Sequence, residues 1–356
     1  MATSAPIEMA APGRSTVSAS VRAILLRPEL TAVGGLVLTF SIFAMLRPTL
    51  FLARPTAITV ASTASELGIV AVCVTLLMIS GHFDLSVGAI VGFSGYGALY
   101  AIRSGYSSEV ATLFGLLCGV SIGLINGLLV VTTRLHSFIV TMGTMLVVRS
   151  TLNVLVQGVP TKLNLDPGWA NFIAGPNLGG LRMSLLWFIL LVILTTIFLL
   201  RTPQGNWTYA MGQNRTAAQN LGVPVRGMTI FLFAVSGFGA ALLGTLQAAR
   251  FDSVDGSRGF GLELYVISVI VVGGASLFGG YGSTVGTMLG AFIFAMIQSG
   301  LVLSGAPGYY FEGLVGISLF IAVFLNEWFL RNVDRFRGRP TSVSATVARA
   351  SSEVTT

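Results

Sequence analysis

Gly81-His82-Phe83-Asp84-Leu85-Ser86-Val87-Gly88 interrupts an apolar region that runs from about Ile58 to Ile102. A carboxylate at the centre of a membrane helix costs about 2.5–3.5 kcal/mol on insertion scales, so Asp84 needs a partner or water. Gly81 and Gly88 let the backbone leave helical geometry on either side. Membranes tolerate such a departure only where protein or a wet cavity satisfies the freed groups. Two readings follow. One is a break between two spans beside a cytoplasmic surface or a pathway, with Gly81, Asp84, Ser86 and Gly88 as its working residues. The other is a short polar hairpin between ordinary helices. Spacing alone does not separate them.

Composition places this stretch in a membrane protein. Of 356 residues, 54% are apolar and only 9% are charged, and the mean hydropathy is +0.85. Soluble domains carry roughly a quarter charged residues. The net charge of +7 therefore points to basic segments held on the cytoplasmic side and not to a nucleic-acid partner. Cys73 and Cys118 both lie in apolar runs and make no disulfide framework. Lys162 is the only lysine and follows Thr161, so the chain has no phosphate-binding loop ending in G-K-[ST] and does not hydrolyse ATP through one.

The expected fold class is all-α and polytopic. Apolar runs long enough to cross fall at about 30–46, 56–80, 85–102, 110–132, 137–156, 184–200, 228–248, 262–279, 284–303 and 311–329, ten in all. The domains expected are a cytoplasmic N-terminal tail at 1–29, a transmembrane domain at 30–330, and a basic, then Ser/Thr/Ala-rich cytoplasmic tail at 331–356 without fixed structure. With ten crossings both termini lie inside. Twelve arginines then fall on inner segments and seven basic residues on outer ones, a modest bias in the right direction.

The longest inner polar segment is 201–227, RTPQGNWTYAMGQNRTAAQNLGVPVRG. Asn214 suits an N-cap, Arg215 to Leu221 can be helical, Gly222 suits a left-handed position past the end, and Pro224 prevents continuation. Ala217, Ala218 and Leu221 share a face at helical spacing, small enough to seat in another protein's groove. An interfacial helix on lipid headgroups is the plainer alternative, but that face is thin in bulky apolar residues. We expect a docking helix for a cytoplasmic partner.

Residues 273–290, GGASLFGGYGSTVGTMLG, are dense in glycine. Gly273, Gly274, Gly279, Gly280 and Gly282 read as a turn at the inner surface, whereas Gly286 and Gly290 read as close helix contacts. Gly279, Val285, Gly286 and Gly290 also echo Gly81, Val87, Gly88 and Gly92 at an offset of 198 residues. Repeats with broken segments in corresponding places are common in transporters. Arg149 is an intramembrane charge in the fifth span, read either as part of a pathway or as a donor to carbonyls at a helix end, and on sign alone Asp84 is a candidate partner.

Catalysis finds no support. Gly92-Phe93-Ser94-Gly95 fits the G-x-S-G of intramembrane serine proteases, but Ser94 lies mid-span while His82 and His136 lie at a break or boundary. No H-E-x-x-H or Cys/His metal spacing occurs, and no cofactor is expected.

Four motifs in order carry a family resemblance over roughly residues 30–330. Gly81 to Gly88 resembles G-G-I-D-L-S-V-G, with His82 for the second glycine. Phe138-Ile139-Val140-Thr141-Met142-Gly143-Thr144 through Arg149 resembles F-I-V-T-L-G-T followed by arginine. Tyr209-Ala210-Met211-Gly212-Gln213-Asn214, with Ala217-Ala218 and Gly222, is similar to a cytoplasmic loop that contacts an ATPase, with Gln213 where glycine is usual. Gly273 to Gly290 resembles G-G-T-S-L-x-G-G-x-G-S-x-x-G-T-x-x-G, with Ala275 for threonine and Tyr281 where arginine is common. Together they resemble the permease of bacterial ABC importers of the ribose/xylose/galactose class, in the branched-chain-amino-acid/sugar permease family.

That resemblance implies a second permease chain, an ABC ATPase subunit docked on 205–226, and an extracytoplasmic sugar-binding protein, all at a bacterial plasma membrane. Asn126, Asn153, Gln247 and Gln298 could then line a wet path or make interhelical hydrogen bonds. The competing class is a stand-alone secondary transporter or channel. Paired in-span acids for ion coupling would favour it, and the sequence shows essentially only Asp84.

Overall fold

A computed structural model describes residues 28–336; the expected tails therefore lie almost wholly outside the described residues. Long apolar runs in a solvent without hydrogen bonds leave the backbone little choice but helix. The first half holds α1 (Pro28–Leu46), α2 (Pro48–Phe51), α3 (Arg54–Ile79), α4 (Val87–Arg103), α5 (Ser108–Thr133), α6 (Ser137–Val156) and α7 (Pro167–Ala174). The second holds α8 (Met183–Arg201), α9 (Pro203–Gln213), α10 (Arg215–Asn220), α11 (Val225–Phe251), α12 (Leu262–Val272), α13 (Thr284–Leu303) and α14 (Tyr309–Phe336). The last helix runs past residue 331, where the C-terminal tail was expected to begin.

Among the described residues six helices are long and apolar enough to span a bilayer: α3, α5, α6, α8, α11 and α13. The burial of each sets its place. The apolar window of α3 is 83% buried and that of α11 72%, so these two form the axis of the bundle. The window of α6 is only 22% buried and leaves a broad apolar face for lipid or another chain. Small residues allow the tight crossings at the axis. The space a side chain would need at Gly237 of α11 is filled by the backbone of Gly119 in α5.

Two short antiparallel ribbons lie at the end remote from α10. Strand β1 (Thr161–Lys162) pairs with β4 (Ser253–Val254), and β2 (Pro176–Asn177) pairs with β3 (Leu181–Arg182). Asp252, in a left-handed conformation, closes the first ribbon by accepting a hydrogen bond from Asn164 N at 2.8 Å.

One expected span is corrected. The run 262–279 is not a crossing helix, because α12 stops at Val272. Eleven residues reach about 16 Å, roughly half the hydrocarbon thickness. Gly274, Gly279 and Gly280 all have positive φ, and the chain turns through 273–283 before Ser283 caps α13. At the other end of α12 the segment 255–261 folds back onto α4, so that Gly259 meets Gly88 backbone to backbone. The half-helix thus starts beside the first turn of α4, and no room exists there for a Cβ on Gly88.

Candidate functional site

The stretch 81–86 is a buried break. Residues 82–84 are not helical, Gly81 takes φ 84°, and Asp84 is 1% exposed. That excludes a solvated hairpin. The start of α6 satisfies the freed amides: Phe83 N donates to Ser137 Oγ at 3.0 Å and Leu85 N to Thr141 Oγ1 at 3.1 Å. Asp84 Oδ1 accepts from Ser86 N (2.9 Å) and Ser86 Oγ (2.6 Å), while Oδ2 accepts from Ser236 Oγ of α11 (2.7 Å). Asn126 Nδ2 of α5 donates to Ser86 Oγ at 2.8 Å. One carboxylate therefore ties together α4, α5 and α11, and Asn126 is an interhelical link.

The charge pairing of Asp84 with Arg149 is overturned. Arg149 Nη1 donates to the carbonyls of Gly256 (3.1 Å) and Arg258 (2.6 Å), holding the segment 255–261. Its guanidinium and the Glu263 carboxylate both border the space over Gly88. Asp84 needs no cation because three hydroxyl and amide donors already surround it.

The segment 203–222 forms a platform beneath this break. Asn214 caps α10 as expected, accepting from Ala217 N at 3.0 Å, and Gly222 takes φ 84° just past its end. The shared face is revised: Ala218 is 2% exposed and packs into the chain's own apolar cluster, whereas Ala217 is exposed and Leu221 is 84% exposed. One alanine seats the helix and the other faces out. The reason is the step of about 100° between consecutive helical residues, which turns Ala217 away when Ala218 faces the bundle.

The platform, the break and the glycine-rich turn are in direct contact. Gly280 N donates to Ile79 O at 2.7 Å, and Gly212 fits against both of those backbones. Tyr209 Oη donates to Gly282 O at 2.9 Å. Gly279 lies against Gly81, so the two echoing glycine motifs meet in space. Beside α10 a cleft of about 640 Å³ is lined by Arg134, Arg215 and Arg226.

His82, which stands where the resembling motif has glycine, adds a contact of its own: Arg215 Nη1 lies 3.1 Å from its Nε2. Burial, and then the Arg215 charge, push the imidazole from 6.5 down to about 4. It is therefore neutral at pH 7 and accepts from Arg215. Between pH 6.5 and 4 the unfolded chain takes up a proton that the folded chain refuses. The associated stability is whole above pH 6.5 and is lost as the pH falls toward 4, by on the order of 3 kcal/mol. Unfolding followed from pH 7 to 4 should show that slope in the unaltered protein and a flatter one in His82→Gln. Parallel curves would remove His82 from this role.

Residues 56–323, from the start of α3 into α14, match the family described as branched-chain amino acid transport system / permease component. The chain belongs to this family. The permease is 32% identical over 269 residues to the probable ABC transporter permease protein y4mJ of Sinorhizobium fredii, covering 76% of this chain and 80% of that protein. It is 32% identical over 311 residues to the autoinducer 2 import system permease protein LsrC of Photorhabdus laumondii (85% and 90%). It is 33% identical over 264 residues to the LsrC of Yersinia pestis (72% and 73%). The permease is thus a multi-pass membrane transporter component.

Three polar residues of the permease escaped the sequence reading. Ser236 sits in the apolar run FAVSGFGA and gives no signal of its own. Glu66 lies inside the second span and Glu263 in the first turn of α12, so Asp84 is not the only in-span acid. Glu66 is matched by Arg250, with which it forms an ion pair.

Proposed function

We propose that this chain is one membrane-spanning half of an ATP-driven importer for a monosaccharide of the ribose or xylose kind. A second permease chain would complete the pathway across the exposed faces of α5 and α6. An ABC ATPase would dock on 205–226, and an extracytoplasmic binding protein would deliver the sugar at the opposite end. The ten-crossing topology with both termini inside belongs to this reading, with α12 counted as a half-crossing that its neighbours complete.

One observation carries it: a short helix, capped by its own asparagine, presents Ala217 and Leu221 outward while Ala218 anchors it to the bundle. At the polar end of the bundle Ala217 and Leu221 together leave a small apolar face that the groove of a cytoplasmic partner can cover. The arginines of the neighbouring cleft suit acidic groups on that partner. Nucleotide-driven closure of the ATPases would then shift the pathway between outward and inward access by binding one state better.

The test is Ala217→Arg in the reconstituted complex. The side chain points away from the fold, so unfolding temperature should stay put while ATPase co-purification and sugar uptake fall by about tenfold, the equivalent of 1.4 kcal/mol. Unchanged uptake would count against docking at α10. Uptake by the purified chain without any ATPase would instead establish a stand-alone transporter.

A further inference from the structure

At the end remote from α10 a cavity of about 400 Å³ opens between α3, α11, α12, α13 and α14 of a single chain. Its polar lining includes Glu66, Gln247, Arg250 and Gln298, and its walls include Tyr265 and Phe311. We propose that this cavity is a transit site for one neutral, hydroxyl-rich solute of monosaccharide size. The inference rests on the importer reading above and assigns it a place within one chain.

The chemistry of the lining selects the solute. Glu66 accepts from Gln247 Nε2 at 2.9 Å and from Arg250, so a carboxylate, an amide and a guanidinium converge on one spot. Such a cluster offers adjacent acceptors and donors, the pattern that vicinal hydroxyls match as donor and acceptor together. Glu66 and Arg250 cancel each other's charge and Arg182 adds one further cation to the wall, so the cavity holds donors for hydroxyl oxygens but no free carboxylate for the ammonium of an amino-acid zwitterion. The rings of Tyr265 and Phe311 lie 5.5 Å apart at 44°, an apolar wall for the C–H face of a sugar ring. Gln298 makes no hydrogen bond among the described residues and lines the same space. The volume lies within the range of small-molecule sites, roughly 300–1,000 Å³.

The cavity is also linked to the buried break. Gln247 is eleven residues beyond Ser236 on α11, which returns it to nearly the same face of the helix about 16 Å further along. Ser236 holds Asp84 and Gln247 holds Glu66, so one stripe of α11 connects the outer cavity to the inner network.

The test uses the full-length chain in lipid nanodiscs and saturation-transfer NMR with D-ribose, D-xylose, D-galactose and L-leucine as probes. Transfer to at least one sugar should exceed that to leucine, and should fall roughly three- to tenfold in Gln298→Leu, the loss of one or two hydrogen bonds. Glu66→Gln should lower it as well, but that change also breaks the ion pair with Arg250, so Gln298→Leu is the deciding variant. No sugar signal above leucine, or an undiminished signal in Gln298→Leu, overturns the site. ATP-driven uptake by the complex is read separately. Normal uptake in a Gln298→Leu complex that binds as before removes the cavity and leaves the importer. Sugar binding that responds to Gln298→Leu, with no ATPase partner in any preparation, keeps the cavity and removes the importer.

Discussion

Replacing Asp84 by alanine should cost about 2–4 kcal/mol of stability in reversible unfolding and abolish sugar uptake, the largest single effect in the chain. The carboxylate is 1% exposed and accepts three hydrogen bonds, two from Ser86 and one from Ser236. Truncation leaves Ser86 N without an acceptor in a dry interior and lets the Ser86 hydroxyl leave Asn126. Asp84→Asn should be milder. Its carbonyl can keep both bonds from Ser86, and its amide can donate to Ser236 if that hydroxyl turns. The expected order of stability is therefore Asp, then Asn, then Ala, with uptake reduced already in the Asn variant. A double-mutant cycle with Ser236→Ala separates the two links. Coupling near zero would mean that Asp84 acts only within its own loop, and a wild-type unfolding curve for Asp84→Ala would make the whole network incidental.

The sequence shows the break at 81–88 for a sound reason: a carboxylate between glycines in an apolar run violates helix and hydropathy rules at once. It does not show what holds the break. Ser137, Thr141, Asn126 and Ser236 come from three other helices, and nothing local marks a serine in a membrane run as a partner for a distant acid. Opposite charge pointed to Arg149, yet the arginine spends its donors on carbonyls at 256 and 258. In a low-dielectric interior, neutral donors around a carboxylate serve as well as a cation and are harder to foresee. Asn214 and Gly222 were legible because capping is local chemistry. The inward turn of Ala218 was not, since only the tertiary fold decides which side of a six-residue helix meets the bundle. Likewise 262–279 reads as one apolar run, and only the backbone contact of Gly259 with Gly88 shows that the helix starts part-way across.

Gly212→Ala should stop ATP-driven uptake by about tenfold or more while leaving the isolated ATPase subunit active. A Cβ at this position would overlap Ile79 O and Gly280 N, both backbone atoms joined to each other by a 2.7 Å hydrogen bond, so no flexible side chain can yield. Overpacking against backbone falls at the upper end of the 1–3 kcal/mol usual for such changes. The strain has a specific destination. Gly212 ends α9 just before the Asn214 cap, Ile79 ends α3 just before the break, and Gly280 lies in the turn that follows the half-helix α12. A push on α10 from below reaches the Asp84 network through this three-way contact and through the Arg215–His82 contact, and a wedge at Gly212 disturbs the one made of backbone. Gly34→Ala is the control, because a Cβ at Gly34 of α1 meets nothing within 4 Å and should change neither stability nor uptake. The variant pair isolates transmission from docking: Gly212→Ala should still co-purify with the ATPase, whereas Ala217→Arg should not. If Gly212→Ala transports normally, force reaches the break by another route, and the arginine–histidine contact between α10 and His82 becomes the next one to cut.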